Sequence, residues 1–275
     1  MYVAPSIPTH SGEFSWSPIS STLVHGDHEA VLIDTPVTTA QTQGLIDWIK
    51  SVIPNKRLTT IYITHGHGDH FFGISLLKKH FPGVTALATA ATLTHMKKQT
   101  EPAVWDTTWS RFFPGQIDVP VQFAEALAPS NEFFVEGHVF RAVEVGHTDT
   151  KDTTVLHIPH LNLVVCGDVV YGDVHQYLVE ANTKEKRAEW IAAIEKVKAL
   201  KPETVVAGHK RPGSVDGVYN LDASQKYIRD FEKLLESSES AEQLYGEMVK
   251  MYPNRLNPKP LVSACKAAFA AKQVL

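Results

Sequence analysis

The stretch His65-Gly66-His67-Gly68-Asp69-His70 decides how this chain is read. Three imidazoles and one carboxylate fall within it, directly after Thr59–Thr64 (TTIYIT), a β-branched apolar run that reads as a buried strand. In the extended loop that such a strand releases, His65 and His67 point the same way, because side chains alternate with period two. Asp69 and His70 lie where a helix would begin. Farther along, His147 follows His138–Val145, Asp168 follows Leu161–Cys166 and His209 follows Thr204–Ala207, each at the end of another strand pattern. Imidazoles and carboxylates gathered at one sheet edge make a metal site.

Seven donors exceed the four that a tetrahedral zinc takes, so two ions are expected. On this reading His65, His67 and His147 clamp one ion. Asp69, His70 and His209 hold the other, and Asp168 bridges the pair with its two oxygens. Each ion keeps an open position. Two such ions roughly 3.5–4 Å apart lower the pKa of a shared water toward neutrality and polarise the bond to be split. The cofactor expected is therefore two Zn²⁺, with iron or manganese left open by ligand type alone. The remaining histidines, among them His25, His80, His95 and His160, read as surface or turn residues.

Composition narrows the partners. The 275 residues are 43% hydrophobic and 20% charged with a net charge of −4, ordinary for a globular protein with a real core. No basic run exceeds two residues (Lys78-Lys79, Lys97-Lys98, Lys210-Arg211), so a nucleic-acid footprint is lacking. No stretch approaches the ~18 apolar residues of a membrane span, and the start Met1-Tyr2-Val3-Ala4-Pro5 lacks the pattern of a signal peptide. Two cysteines, Cys166 and Cys265, are too few for a disulfide framework. The expectation is a cytoplasmic protein acting on a small molecule, with no nucleic-acid or membrane partner.

Strand and helix patterns alternate through most of the chain. Ser20–His25 and Ala30–Asp34 read as a hairpin turning at Gly26-Asp27. Leu45, Trp48, Ile49 and Val52 mark a helix capped by Thr38 or Thr39. Ile74, Leu77 and Phe81 mark another, Val84–Ala88 a strand and Ala90–Lys98 a helix. Asn182-Thr183-Lys184-Glu185 resembles a capping box ahead of the Trp190, Ile191, Ile194, Val197 stripe. The fold class is α/β in layers. Residues 1–220 form the catalytic domain and residues 221–275 a helical extension packed on it, which can pair subunits as a homodimer or cover one flank. Residues 100–136 break the rhythm, with many aromatic residues and interspersed prolines.

The ordered set resembles that of the metallo-β-lactamase-fold hydrolases, whose pattern is His-x-His-x-Asp-His, then a separate His, an Asp and a His. The similarity spans roughly residues 15–215. It implies an αββα sandwich with the metals at one edge of the two sheets. Asp34, closing Val31-Leu32-Ile33, matches the family's early aspartate, which supports the histidine loop from behind.

Departures sort the branches. The best-known zinc β-lactamases place a cysteine ligand where this chain has Asp168; Cys166, inside the strand, reads as a small buried residue. Diiron flavoproteins of the fold replace the second motif histidine by glutamate, whereas His67 is present. The basic C-terminus of glyoxalase II-like thioesterases and the extra motifs of RNA-processing members are not evident. Asp168-Val169-Val170-Tyr171 resembles the dizinc lactonase branch, in which a tyrosine follows the bridging aspartate by three residues. The Tyr171 hydroxyl then either donates to the oxyanion formed at an ester carbonyl or caps a packed loop. Asp69 is the candidate for carrying a proton to the leaving group besides binding metal.

These readings converge on a dizinc hydrolase that opens a lactone or lactam of a small, mainly apolar molecule. Alternatives are a thioester or acyclic ester hydrolase and an iron-loaded redox protein of the same fold. The aromatic stretch 100–136, with Phe14 and Trp16, roofs the site or else buries the outer face of a sheet or a dimer contact. Lys210 and Arg211 either hold a substrate carboxylate or form a solvated pair.

Overall fold

The computed structural model describes residues 1–272 and shows two sheets packed face to face between two helical layers. The first sheet runs in chain order: β1 (Tyr2–Ala4), β2 (Ile19–His25), β3 (Glu29–Ile33), β4 (Arg57–Tyr62), β5 (Thr85–Ala88) and β6 (Glu125–Ala126). Its first two pairings are antiparallel and the rest parallel. The second sheet holds β7 (Glu132–Val135), β8 (His138–Gly146), β9 (Thr153–Ile158) and β10 (Leu163–Val165) as an antiparallel meander. β12 (Thr204–Val206) joins β10 in parallel, and β11 (Tyr171–Gly172) and β13 (His209–Lys210) form a separate small parallel pair.

Alternation explains the layers. Val31, Ile33 and Tyr62 of the first sheet face Phe140, Ala142, Leu156, Ile158 and Val165 of the second, forming the apolar seam between them. Leu32, Ile61 and Ala86 point the other way, against α1 (Thr39–Val52), α2 (Ile74–His80) and α3 (Ala90–Lys98). The Thr38 hydroxyl caps α1 in a reciprocal box with Gln41. On the opposite flank lie α4 (Lys184–Ala199), α5 (Tyr219–Ser237), α6 (Ala241–Met251) and α7 (Lys259–Lys272). They share one apolar cluster with the outer face of the second sheet, centred on Trp190, Tyr227 and Phe231. The cap of α4 is Thr183, which accepts from Lys186, one residue later than the box read from Asn182.

The irregular segment resolves into three helical turns, Pro102–Val104, Trp105–Trp109 and Ser110–Phe112, followed by β6 and β7. Its aromatic residues do several jobs. Trp109 and Phe113 are buried beneath the helical layer, Phe133 stacks between Tyr62 and Phe140 in the seam, and Phe134 is 65% exposed. Among the described residues no helix is long and apolar enough to cross a membrane.

Candidate metal centre

Four loops meet at the edge where the strands end. β4 delivers His65–His70, β8 delivers residues 147–152, β10 delivers Asp168 and β12 delivers His209. Two glycines let them close up. A side chain at Gly208 would collide with the Asp168 carboxylate and the Gly167 backbone, and one at Gly167, itself at φ +49°, would strike Thr64.

The imidazoles are set by what lies behind them. Asp34 accepts from the Thr64 backbone N–H (2.9 Å) and hydroxyl (2.8 Å), and its Oδ2 lies 3.0 Å from His70 Nδ1. His209 Nδ1 donates to the Pro18 carbonyl at 2.8 Å, and His65 Nδ1 lies 3.0 Å from the Thr64 hydroxyl. These contacts turn the Nε2 atoms of His65, His70 and His209 inward. Such support from behind is how proteins fix the tautomer of a ligating histidine.

Three overlapping donor groups result, within each of which the atoms lie inside 4.8 Å: His65, His67 and Asp149; His65, His70 and Asp168; and Asp69, His70 and His209. Six of the residues singled out in the sequence are therefore brought together. His147 is not among them. It is partly exposed, its Nε2 lies 3.2 Å from the Glu180 carbonyl oxygen, and Asp149, two residues on, stands in the position expected for it. His147, expected as third donor beside His65 and His67, is left outside these groups by the path of this loop.

The donor atoms fit cations. His65 Nε2, His70 Nε2, Asp149 Oδ2 and Asp168 Oδ1 are buried and lack a hydrogen-bond partner, although they crowd together. Asp168 Oδ1 lies 3.1 Å from His70 Nε2 and Asp149 Oδ2 2.8 Å from His67 Nδ1, neither aligned as a hydrogen bond. Buried polar atoms without partners are costly, and several aimed into one space mark a place where an ion belongs.

Protonation tells the same story. Burial and the adjacent His70 push His65 down to about 4, leaving a lone pair free at neutral pH. At His70 burial opposes the charged ring, but Asp168 and Asp34 outweigh it and hold its pKa well above the ordinary value. Burial likewise resists ionisation of Asp168, yet His209 and His70 draw its carboxyl well below the usual range. Protons on imidazoles here balance the carboxylates, a task that bound cations would take over.

Tyr171 and Asp69 complete the floor. The Tyr171 hydroxyl donates to Asp168 Oδ2 at 2.6 Å, and its ring stacks on His209. Asp69 Oδ2 accepts from the Trp16 indole N–H at 2.8 Å and lies 3.5 Å from His209 Nε2. Asp149 was not singled out in the sequence, and Trp16 was read only as part of an aromatic roof, not as a partner of Asp69. Glu180 was missed too; its carboxylate lies 3.0 Å from His67 Nε2 and accepts from the Thr150 hydroxyl at 2.8 Å. No sequence pattern marks Glu180 or the bond of Trp16 to Asp69, since each contact joins residues far apart in the chain.

Above the floor opens a cavity of about 540 Å³. Phe14, Trp16, Trp109 and Phe112 form its aromatic side, so part of the expected roof is present. Lys98 and Lys259 also line it, the latter with its ammonium 5.0 Å over the Phe14 ring. Lys210 and Arg211 do not. Lys210 is buried against Asp216 and the Ser214 carbonyl, and Arg211 bonds the Asn254 carbonyl. His95, expected at the surface, is 8% exposed and lines the cavity beside His67. Cys166 is fully buried, and burial pushes its thiol far up, as suits a packing residue.

The metallo-β-lactamase superfamily model matches residues 15–209, which include all four site loops. The chain belongs to the metallo-β-lactamase superfamily. It is 25% identical over 217 residues to a metallo-β-lactamase type 2 of Bacteroides fragilis, covering 78% of this chain and 76% of that one. A hydroxyacylglutathione hydrolase of Photobacterium profundum is 30% identical over 93 residues, 33% of this chain and 32% of the relative. Among solved structures, a metallo-β-lactamase from Pontibacter korlensis superposes with a TM-score of 0.60 at 21% identity, covering 82% of this superfamily member and 92% of that chain. That likeness establishes the fold: mixed sheets, flanking helices and C-terminal helices.

Proposed function

We propose that this superfamily member is a dizinc hydrolase that opens a cyclic ester or amide, a lactone or lactam, of a small molecule. The observation that carries the reading is the set of buried, partnerless imidazole and carboxylate atoms at the floor of an aromatic cavity. His65, His67 and Asp149 would hold one ion, Asp69, His70 and His209 the other, with Asp168 between them. Bound zinc ions supply an acidified water and polarise the carbonyl.

The chain's own groups do the rest. Asp34, Thr64 and the Pro18 carbonyl keep the imidazoles oriented. Tyr171 donates to Asp168 and so positions that carboxylate; to serve a substrate oxyanion it would first have to release it. Asp69 borders the cavity and is held by Trp16 with one oxygen, which suits it to pass a proton to the departing alkoxide or amine. The aromatic side excludes water from an apolar substrate body, while Lys98 and Lys259, which also line the cavity, suit an acidic group on it.

A second reading, thioester hydrolysis, is favoured by the likeness to the hydroxyacylglutathione hydrolase over about a third of the chain. The zinc-loaded protein assayed on a panel of lactones, lactams and glutathione thioesters separates the two. Ring opening is expected to be fastest. Faster turnover of the thioesters would replace this reading by the second, and iron with visible absorbance in the purified protein would displace both.

A further inference from the structure

We infer that Asp149 is the third protein ligand of the first metal position, a carboxylate beside the two histidines His65 and His67, and that His147 stands outside it. The inference rests on the reading of this edge as a metal centre.

The geometry begins in the backbone. The β8–β9 pairing slips between Glu144 and Gly146, and Gly146 adopts φ +101°, so the chain turns before His147 instead of carrying it straight off the strand. His147 ends partly exposed with its ring nitrogen on the Glu180 carbonyl. The loop is then tied down by its own hydroxyls. The Thr148 N–H donates to the Thr150 carbonyl at 2.7 Å, and the Thr153 hydroxyl to the same oxygen at 3.1 Å.

This holds Asp149, wholly buried, in one orientation. Its Oδ1 accepts from the Thr148 hydroxyl at 2.8 Å. Its Oδ2 has no hydrogen bond and lies 2.8 Å from His67 Nδ1 and 3.5 Å from His65 Nε2. His67 is turned to match, with Nε2 on the Glu180 carboxylate and Nδ1 directed at the same space. One oxygen anchored and the other partnerless between two imidazoles is the arrangement of a ligand held from behind.

The substitution changes the charge of the site. Two divalent ions bring four positive charges; Asp69, Asp149 and Asp168 bring three negative ones, where a histidine in place of Asp149 would leave two. Replacing a nitrogen donor by an oxygen also makes the first position harder, the direction that suits manganese or iron better than an all-imidazole site would.

The test is metal stoichiometry of the full chain, stripped with chelator, reloaded with zinc, desalted and analysed by mass spectrometry, with cobalt(II) absorbance as an independent record of the ligand field. Asp149→Asn keeps the shape of the side chain and its bond to Thr148; it should lose about one ion per chain and alter the cobalt spectrum. His147→Ala should retain the wild-type stoichiometry and spectrum. A melting curve in chelator shows that each variant is folded, and Asp149→Ala repeats the measurement should the asparagine amide bind metal. Loss of an ion by His147→Ala, with both Asp149 variants loading fully, would overturn the inference and leave the metal centre standing. A wild-type chain that takes up no metal would remove the metal-dependent function together with this assignment.

Discussion

The floor of the cavity and its walls are built on opposite principles. The floor is dense in charge, buried, and assembled from loops at four strand ends, its donors held from behind by Asp34, Thr64, Thr148, Trp16, Tyr171, Glu180 or a carbonyl. The walls are aromatic and cationic, drawn from the N-terminal segment, the turns at 102–112 and the C-terminal helices, and held by packing. Rigidity over a strand end suits chemistry that tolerates little displacement, and loops over that scaffold suit selection among substrates. Chemistry and selectivity should then be separable by mutation, except at Trp16, which belongs to both.

The largest effect should come from the floor. Asp168→Ala removes the carboxylate that faces His70 and His209, and is expected to lower bound metal and abolish turnover; full activity with full metal content would dissolve the distinction. Asp34→Ala takes away the support of His70 and the Thr64 loop without touching a cavity-facing atom. Metal affinity, read by chelator competition, should fall about 10–100-fold.

Behind the walls, the C-terminal helices are tied to the core in part by His175, whose Nδ1 lies 2.8 Å from the hydroxyl of Tyr227 on α5. Burial and the nearby Arg255 push this ring down to about 4. Because the folded value lies below the unfolded one, the ring's contribution is complete above pH ~6.5 and is lost as pH falls toward 4, up to about 1–3 kcal/mol. Thermal melts of His175→Gln should be flatter than wild type across that window, and identical slopes would deny the ring this role.

Trp16→Phe keeps most of the packing on Trp109 and Phe113 but deletes the donor to Asp69. A roughly tenfold loss in kcat is expected, in line with one hydrogen bond to a charged group. A change confined to KM would place Trp16 in the wall alone. The smallest effect should be that of Lys259→Ala, a rise in KM of about fivefold for acidic substrates with kcat kept, the size of one partly exposed ion pair. An equal change for neutral substrates would show that the side chain acts by packing on Phe14.

Much of the floor was legible because its signals are local. His65, His67, Asp69 and His70 come from one loop, and apolar β-runs before Asp168 and His209 announce where strands stop. The same patterning marked α1, α3 and the hairpin at the start of the first sheet, because amphipathic period and capping residues are properties of short stretches. His147 lies outside the donor groups for an instructive reason. It too follows a strand pattern, but a slipped pairing and a glycine with positive φ turn the loop, and Asp149 enters instead.

Sequence alone determined the layered fold, the family and six of the residues now gathered at the sheet edge, since periodicity and motif spacing are written along the chain. Only the tertiary structure decided that Asp149 faces His65 and His67, that Trp16 and Glu180 reach the ligands, and that Lys98 and Lys259 rather than Lys210 border the cavity. Such contacts join residues far apart in the chain, His67 and Glu180 by 113 positions, and no local pattern encodes which distant side chains packing will bring together.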